Sequence, residues 1–318
     1  MKSKLIPLMI VCTLLFTACG KSSEKAQSQN EPEGIISISG AFALYPMMTT
    51  WVEEFQKEYP GIQFDISAGG AGKGMTDALS GAVDIGMVSR AIKEEEEAKG
   101  AFWIPVTRDA VFPVINSQNP VLDQIREKGI NQDVFGRIFI TGEITTWGEV
   151  IGNPEIMDEI HVYTRSDACG AAEEWAKFLG GFQEDLLGIG VNADPGLLDA
   201  VLNDPLGIGY NNLGYAFDLG TGMVVEGAFI VPIDIDGNGS AESNEIIKDQ
   251  AAALTSISSG KYPSPPARDL NLVTNGKPTG IVQVFLKWIL RDGQNFVGEA
   301  GYVKLPDAKL LSAMEKIK

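Results

Sequence analysis

The chain alternates short apolar strands with glycine-rich loops and helices, and this order constrains its fold more than any other feature. Three apolar or β-branched runs, 35–39, 62–67 and 83–88, are each followed by a loop and then by a helical pattern. A fourth strand, loop and helix span 161–180. Strands that alternate with helices in this way build sheets with helices packed on their faces. The sequence therefore predicts an α/β protein.

The length of 318 residues predicts two lobes, because one hydrophobic core of usual size does not serve a chain this long. The run 104–116 is predicted to be a strand pair or one long strand that crosses between the lobes. We expect lobe I to comprise 35–113 plus about 225–318, and lobe II to comprise 114–224. The sequence leaves the return crossing open anywhere between about 215 and 270.

The N-terminus carries the pattern of an export signal. Two lysines precede an apolar run that ends at Phe16, and small residues then lead to Cys19. This pattern predicts a signal peptide in 1–18. The cysteine directly after the small residues resembles a bacterial lipobox, so we expect Cys19 to carry the lipid, including palmitate, with 19–34 as a polar tether. The expected location is the cell membrane, on its periplasmic or extracellular face; plain secretion and an uncleaved anchor are the alternatives.

The net charge of the chain limits the classes of partner that it can bind. Acidic residues outnumber basic ones by 42 to 25, for a net charge of -17, which argues against a nucleic-acid partner. Such a surface repels anions at long range, so an anion site here has to act through short, desolvated hydrogen bonds. After cleavage only Cys19 and Cys169 would remain, and acylation of Cys19 leaves no internal disulfide.

The stretch 161–180 is the strongest candidate for a binding site. It places Arg165, Ser166 and Asp167 in a loop just before a helix that begins near Gly170. The first N–H groups of a helix have no internal acceptor and bind small oxyanions well, and arginine adds a planar two-pronged donor. The alternative is an ordinary surface pair of Arg165 with Asp167. Loops 41–45 and 68–74 follow strands in the same way, and strand ends of this kind gather ligands.

These stretches form an ordered set along the chain: Gly40-Ala-Phe-Ala-Leu-Tyr-Pro46, Gly69-Gly-Ala-Gly72, Val83-Asp-Ile-Gly86 with Ser89-Arg90, Ile138 to Trp147, Arg165-Ser-Asp167, and the tail from Lys277-Pro-Thr to Gly301-Tyr-Val. The set resembles the phosphate-binding proteins of bacterial phosphate ABC transporters, the PstS family, over 35–318. The resemblance implies a two-lobed, type II periplasmic-binding-protein-like venus-flytrap with mixed sheets. It also implies a monomeric binding protein, not an enzyme, that needs no cofactor, closes on phosphate or a similar tetrahedral oxyanion, and delivers it to ABC permease subunits.

The same resemblance implies the anion-binding residues: Ala43, Leu44, Tyr45, Gly69, Gly70, Ser89, Arg165, Asp167, Cys169, Gly170 and Ala171. In the first loop the expected donors are the backbone N–H groups of Leu44 and Tyr45. Several hydroxyls of the family pattern are missing: Gly69 stands where relatives usually have serine, and 169–171 stands where Ser-Gly-Thr is common. Each lost charge-assisted bond costs about 1.5–3 kcal/mol unless it is replaced. The sequence therefore allows either phosphate or another tetrahedral oxyanion as the ligand.

Phosphate, unlike sulfate, carries a proton at neutral pH, and a carboxylate acceptor would select for it. Ser89 falls where some relatives have an aspartate in this role. We therefore expect Asp167 or Asp84 to be the acceptor, with a helix or turn cap as the alternative role of Asp84.

The segment 234–245 matches the calcium loop of an EF-hand at every position. The predicted ligands of a structural calcium ion are Asp234, Asp236, Asn238, Ser240 and Glu245. The preceding segment 228–233 has the pattern of a strand instead of a helix, so a plain Asp-Gly-Asn-Gly turn is the alternative. A lipid-anchored calcium-binding adhesion or sensor module is the second function that the sequence leaves open.

A third function class rests on Cys169 and on His161, which is the only histidine of the chain. A thiol hydrolase would use Cys169 as nucleophile and His161 as base. The sequence supplies no third group to orient the histidine. The alternatives are a packing role for Cys169 at the helix start and a plain strand position for His161.

Overall fold

A computed structural model describes residues 32–318. The predicted signal peptide 1–18, the lipidation residue Cys19 and most of the predicted tether 19–34 lie outside the described residues. Every helix within 32–318 is too short or too polar to cross a membrane.

The described residues contain eleven strands: β1 (Gly34–Gly40), β2 (Ile62–Ala68), β3 (Ile85–Val88), β4 (Ala101–Asn116), β5 (Ile130–Asn131), β6 (His161–Arg165), β7 (Ile189–Val191), β8 (Gly207–Asn212), β9 (Ala228–Ile230), β10 (Ile233–Asp234) and β11 (Ala267–Asn275). They also contain twelve α-helices: α1 (Tyr45–Glu58), α2 (Ala71–Ser80), α3 (Glu94–Ala98), α4 (Leu122–Lys128), α5 (Gln132–Phe139), α6 (Trp147–Ile151), α7 (Gly170–Phe178), α8 (Ala193–Leu202), α9 (Leu213–Ala216), α10 (Gln250–Ser258), α11 (Gly280–Leu290) and α12 (Asp307–Ile317).

The main sheet is mixed, as predicted. Its strands run in the order β2, β1, β3, β11, β4, β8, β6, β7, and β9 also pairs with β4. The pairs of β1 with β2 and β3, and of β6 with β7 and β8, are parallel, whereas β11 and β8 lie antiparallel to β4. The parallel pairs are those of the strand, loop and helix units that the sequence indicates.

One long strand, β4, joins the two halves of this sheet. The first part of β4, from Ala101 to Ala110, pairs with β11, and its second part, from Val111 to Ile115, pairs with β8. Of the two structures predicted for 104–116, the single crossing strand is the one that forms.

The described residues bury two separate apolar cores. One draws its residues from 36–106 and 270–317, and the other draws them from 110–267 together with Val303. We call the parts around these cores lobe I and lobe II. The chain returns from the second core to the first near residue 268, late in the interval that the sequence left open. The two-lobed α/β fold is confirmed.

Candidate functional site

Arg165 ends strand β6 and is held by two carboxylates. Its Nε and Nη2 donate to the two oxygens of Asp167 at 2.7 and 2.6 Å, and its Nη1 donates to Asp194 Oδ2 at 2.6 Å. Only 1% of the arginine side chain is exposed. The predicted pair of Arg165 with Asp167 therefore exists, but it is a two-pronged buried pair and not an exposed surface contact.

A buried polar network fixes the position of this arginine. Tyr210 in β8 accepts the backbone N–H of Arg165 at 3.2 Å, and its ring stacks on Trp175 with 5.8 Å between the centroids. Asp194 also accepts from Asn212 Nδ2 at 2.6 Å. Because each partner belongs to a different element, the guanidinium is fixed by the packing of lobe II.

The ionisable side chains of this network stabilise one another in their charged forms. Burial alone would lower the pKa of Arg165, but the neighbouring negative groups, with Asp194 foremost, raise it. Burial would likewise raise the pKa of Asp167, but the hydrogen bonds and charge of Arg165 hold it below its ordinary value. The arginine is therefore a permanent cation at this position.

The start of helix α7 lies next to this loop. Cys169 is its N-cap, and the sulfur accepts from the N–H of Ala172 at 3.4 Å. The N–H of Glu173 makes the first intrahelical bond, to the carbonyl of Cys169 at 3.1 Å. The N–H groups of Gly170 and Ala171 precede that bond and have no acceptor inside the helix. They are donors of the kind that an oxyanion takes at a helix start.

Three loops of lobe I meet the loop and helix start of lobe II. The Arg165 guanidinium carbon lies 5.5 Å from the ring centroid of Phe42, and the N–H of Gly72 donates to the carbonyl of Ala168 at 3.1 Å. A Cβ built on Gly170 would lie 2.2 Å from the carbonyl oxygen of Ser89. The structure thus brings the predicted loops together across the cleft between the lobes.

The backbone donors of the lobe I loops differ from those expected. The N–H of Leu44 donates to Ala41 at 3.1 Å, and the N–H of Tyr45 donates to Phe42, so both are used inside the first loop. The N–H groups of Gly69 and Gly70 both donate to the carbonyl of Gly40, at 2.9 and 3.1 Å. Ala43 lies one position earlier in the same 3-10 turn, where N–H groups lack acceptors within the turn.

Gly70 has a different use from the one predicted. Its φ is +86°, and an added Cβ would lie 2.8 Å from the carbonyl oxygen of Ala168 and 3.0 Å from Asp167 Oδ2. A glycine here lets the loop of lobe I approach the loop of lobe II closely.

Sequence reasoning missed a second buried cation at the cleft. Arg268 of β11 donates from Nε to the carbonyl of Ser89 at 3.2 Å and from Nη2 to Asn212, and its Nη1 lies 3.3 Å from Asp109 Oδ2. Asp109 is fully buried, and burial raises its pKa to about 6 despite Arg268. The available signal was a pair of adjacent charged residues inside each strand, Arg108-Asp109 in β4 and Arg268-Asp269 in β11.

Asp84 lies away from this site. Its Oδ2 accepts from the N–H and the hydroxyl of Ser37 at 2.8 and 2.7 Å, just before β3, whereas Ser89 follows the other end of that strand. Asp84 therefore binds strand β1 instead of capping a helix or turn, and Asp167 is the carboxylate of the two that lies at the site.

The cysteine and the histidine do not form a catalytic pair. Burial raises the pKa of the Cys169 thiol to about 12, so the thiolate is scarce at neutral pH. His161 begins β6, and its Nδ1 lies 2.7 Å from Asp204 Oδ2 on a part-exposed surface. An orienting carboxylate for the histidine does exist, contrary to expectation, but the thiol serves as a helix cap.

The predicted calcium loop brings three carboxylates together. One oxygen from each of Asp234, Asp236 and Glu245 lies within 4.8 Å of the others. Asp234 and Glu245 are buried, with 3% and 5% of their surface exposed. The other two predicted ligands, Asn238 and Ser240, lie on the exposed turn, where the amide oxygen of Asn238 accepts from the N–H of Ser240 at 2.8 Å.

The backbone of the loop organises these groups. The N–H groups of Asn238 and Gly239 donate to Asp234 at 3.1 and 3.0 Å, and Gly239 takes a φ of +76°. Strand β10 leads into the loop, and helix α10 begins only at Gln250. The predicted strand before the loop is confirmed, so the helix pair of an EF-hand is not formed around it.

The family of the chain follows from comparison with known proteins. The family model described as the PBP superfamily domain matches residues 23–293. The chain belongs to the PBP superfamily. It is similar to the phosphate-binding protein PstS of Bacillus subtilis, 25% identical with 97% of this chain and 96% of that protein covered. It is also similar to the phosphate-binding protein PstS of Methanocaldococcus jannaschii, 29% identical with 98% and 94% covered.

Solved structures of this superfamily share the fold. A putative phosphate ABC transporter substrate-binding protein with bound phosphate from Clostridium perfringens matches with a TM-score of 0.68, 23% identity, and coverage of 86% of this chain and 100% of that chain. An ABC-type phosphate transport receptor from Vibrio cholerae matches with a TM-score of 0.62, 18% identity, and coverage of 85% and 100%. The predicted resemblance is confirmed.

Proposed function

We propose that this chain captures phosphate between its two lobes and delivers it to an ABC permease. The observation that carries the proposal is the meeting of Arg165 and the start of α7 with the lobe I loops at Phe42, Gly70 and Ser89. The two guanidinium N–H groups that Asp167 and Asp194 do not use, and the unpaired N–H groups at the helix start, are donors of the kind that a tetrahedral oxyanion takes. The names of the similar proteins support phosphate as that anion.

The remaining features of this function follow from the same proposal. The chain acts as a monomeric binding protein and not as an enzyme, as the resemblance implies, and the buried Cys169 caps helix α7. It is exported and held at the membrane through a lipid on Cys19, as the sequence predicts. The permease receives the closed, loaded form, because contacts made in the closed state favour closure on the ligand.

Titration calorimetry of the purified chain tests the proposal. Inorganic phosphate is expected to bind with a dissociation constant in the micromolar range or below, and arsenate to follow it because its shape and protonation are similar. Sulfate should bind more weakly if Asp167 accepts the phosphate proton. No heat with phosphate, arsenate, sulfate or molybdate would reject the transport function.

We also propose that the loop 234–245 holds a structural calcium ion, with Asp234, Asp236, Asn238, Ser240 and Glu245 as its ligands. Two buried carboxylates in this loop have no ion-pair partner within the described residues, and such groups are costly unless a cation neutralises them. Carboxylate and carbonyl oxygens are the ligands that calcium prefers. A calcium-dependent adhesion module would use the same loop, but the cleft and the similar proteins favour transport as the main function.

Thermal unfolding with and without calcium tests this second proposal. Calcium should raise the melting temperature by about a few degrees at a concentration near a hundred dissociation constants. Glu245→Gln should remove most of that rise and leave phosphate binding unchanged, whereas the exposed control Glu226→Gln should keep the rise. An equal rise in the wild type and Glu245→Gln would contradict the assignment.

A further inference from the structure

A second cavity lies between the lobes, apart from the Arg165 site. Its volume is about 440 Å³, within the roughly 300–1,000 Å³ of ordinary small-molecule sites. Lobe I contributes Ala91 and Ile92 after β3, and lobe II contributes Glu174 and Lys177 of α7. The cavity therefore has walls from both lobes.

Basic side chains outnumber acidic ones in the lining of this cavity. Arg108, Lys177, Arg268 and Lys309 line it, against Glu174 and Asp269. Such a surplus stands out in a chain whose net charge is -17. Arg268 and Lys309 already have carboxylate partners, in Asp109 and Asp269. The excess positive charge of the lining therefore lies on Arg108 and Lys177.

Arg108 is the cation whose groups are least satisfied. Within 32–318 it forms no ion pair; its Nη2 donates to the hydroxyl of Ser264 at 3.0 Å, and its Nε is buried without a hydrogen-bond partner. Lys177 has only a loose contact, with its Nζ 3.9 Å from Glu174 Oε1 and 56% of its side chain exposed. Arg108 thus lines the cavity without a carboxylate partner within the described residues, so its guanidinium charge is available to an anion.

We propose that this cavity binds a small polyvalent anion, a compound with two or more carboxylate or phosphate groups, through Arg108 and Lys177. Arg108 belongs to β4 and Lys177 to α7, so one anion joins the crossing strand to lobe II. Two charged groups on the ligand match the two cations, which lie on different elements, and the volume exceeds what a single tetrahedral oxyanion needs.

Helix α7 connects the two sites. Its first residues face Ser89, and Glu173 Oε2 lies 3.1 Å from the Nε of Arg90, before the helix reaches the cavity at Glu174 and Lys177. An anion in the cavity and phosphate at Arg165 both favour the closed position of this helix. Each ligand therefore tightens the binding of the other, because coupling between two sites is reciprocal.

Calorimetry with citrate, succinate and pyrophosphate as probes, each titrated into the chain saturated with inorganic phosphate, tests the proposal. At least one probe should bind, and Arg108→Gln should weaken it by about ten- to a hundredfold, as expected for one charge-assisted contact. Lys177→Gln should weaken it less. The control Arg137→Gln, which breaks an exposed pair with Glu143, should leave it unchanged.

The outcomes separate this site from the first one. Tighter probe binding in the presence of phosphate supports two coupled sites, whereas unchanged binding supports the second site and overturns the coupling. The proposal is overturned if no probe binds, if the probe displaces phosphate, or if Arg108→Gln and Lys177→Gln both bind like the wild type. Lys177 is exposed enough that its variant should fold normally, so an unfolded Arg108 variant would still leave the test decisive.

Discussion

Arg165 shows why residue type matters more than charge alone at this site. Its fork bonds both oxygens of Asp167, and its other terminal nitrogen bonds Asp194. These contacts use one N–H from each of its three nitrogens and leave two donors for a ligand. Lysine carries one compact ammonium group and has no planar fork.

Arg165→Lys should therefore weaken phosphate binding by about tenfold or more, even though the charge is kept. Calorimetry with inorganic phosphate measures the loss. The matched control is Arg126→Lys, at an arginine whose side chain is 54% exposed and pairs with Asp123 on the surface. Wild-type affinity in Arg165→Lys would show that the guanidinium does not hold the anion.

Asp109 gives a prediction about pH. Burial raises its pKa from 3.8 to about 6 in the folded chain. The folded protein thus holds this proton more tightly than the unfolded chain, so its stabilising contribution is complete below pH 4 and is lost as the pH rises through 6. The free energy of unfolding of the wild type should fall relative to Asp109→Asn by about 2 kcal/mol between pH 4 and 7. Denaturant titrations across this range measure it, and a constant difference between the two proteins would contradict the raised pKa.

Helix α7 is the element on which the site depends most. Its first residue, Gly170, lies so close to Ser89 that an added Cβ would be 2.2 Å from the Ser89 carbonyl oxygen. Gly170→Ala should therefore hinder closure and weaken phosphate binding by about tenfold, while leaving each lobe folded.

Gly136 is a matched control within helix α5. An added Cβ there would lie 3.9 Å from its nearest neighbour, the carbonyl oxygen of Leu179. Gly136→Ala should raise the free energy of unfolding by about 0.5–1 kcal/mol and leave phosphate binding unchanged. Equal phosphate affinity in both variants would exclude the contact between Gly170 and Ser89 from the bound state.

Local patterns predicted most elements because the sequence carries their signals directly. The strand and helix around 161–180 form where the apolar pattern and the glycines place them. Helices α4 and α6 were missed: they have seven and five residues, too short for periodicity to show. The signal available for α6 was the capping box formed by Thr146 and Glu149.

At the scale of the whole molecule, the sequence indicated two lobes and a crossing strand but not how the lobes meet. The cation Arg268 joins Ser89 of lobe I to Asn212 of lobe II, although the three residues are far apart in the chain. Likewise, the N–H groups of Leu44 and Gly69 donate to nearby carbonyls. These hydrogen bonds depend on the loop conformation and not on residue type. Long-range contacts and loop hydrogen bonds leave no periodic trace in a sequence, so the anion site stays a prediction from the resemblance, and the structure shows which of its N–H groups already have acceptors.

The central claim is that one tetrahedral anion lies between the lobes, beside Arg165 and the start of α7. The most direct test is anomalous diffraction from crystals of the chain grown with arsenate, because arsenic marks the position of the anion. The account predicts that the strongest arsenic peak lies within hydrogen-bonding reach of the Arg165 guanidinium and the N–H groups of Gly170 and Ala171. A strongest peak elsewhere, with none beside Arg165, would contradict it.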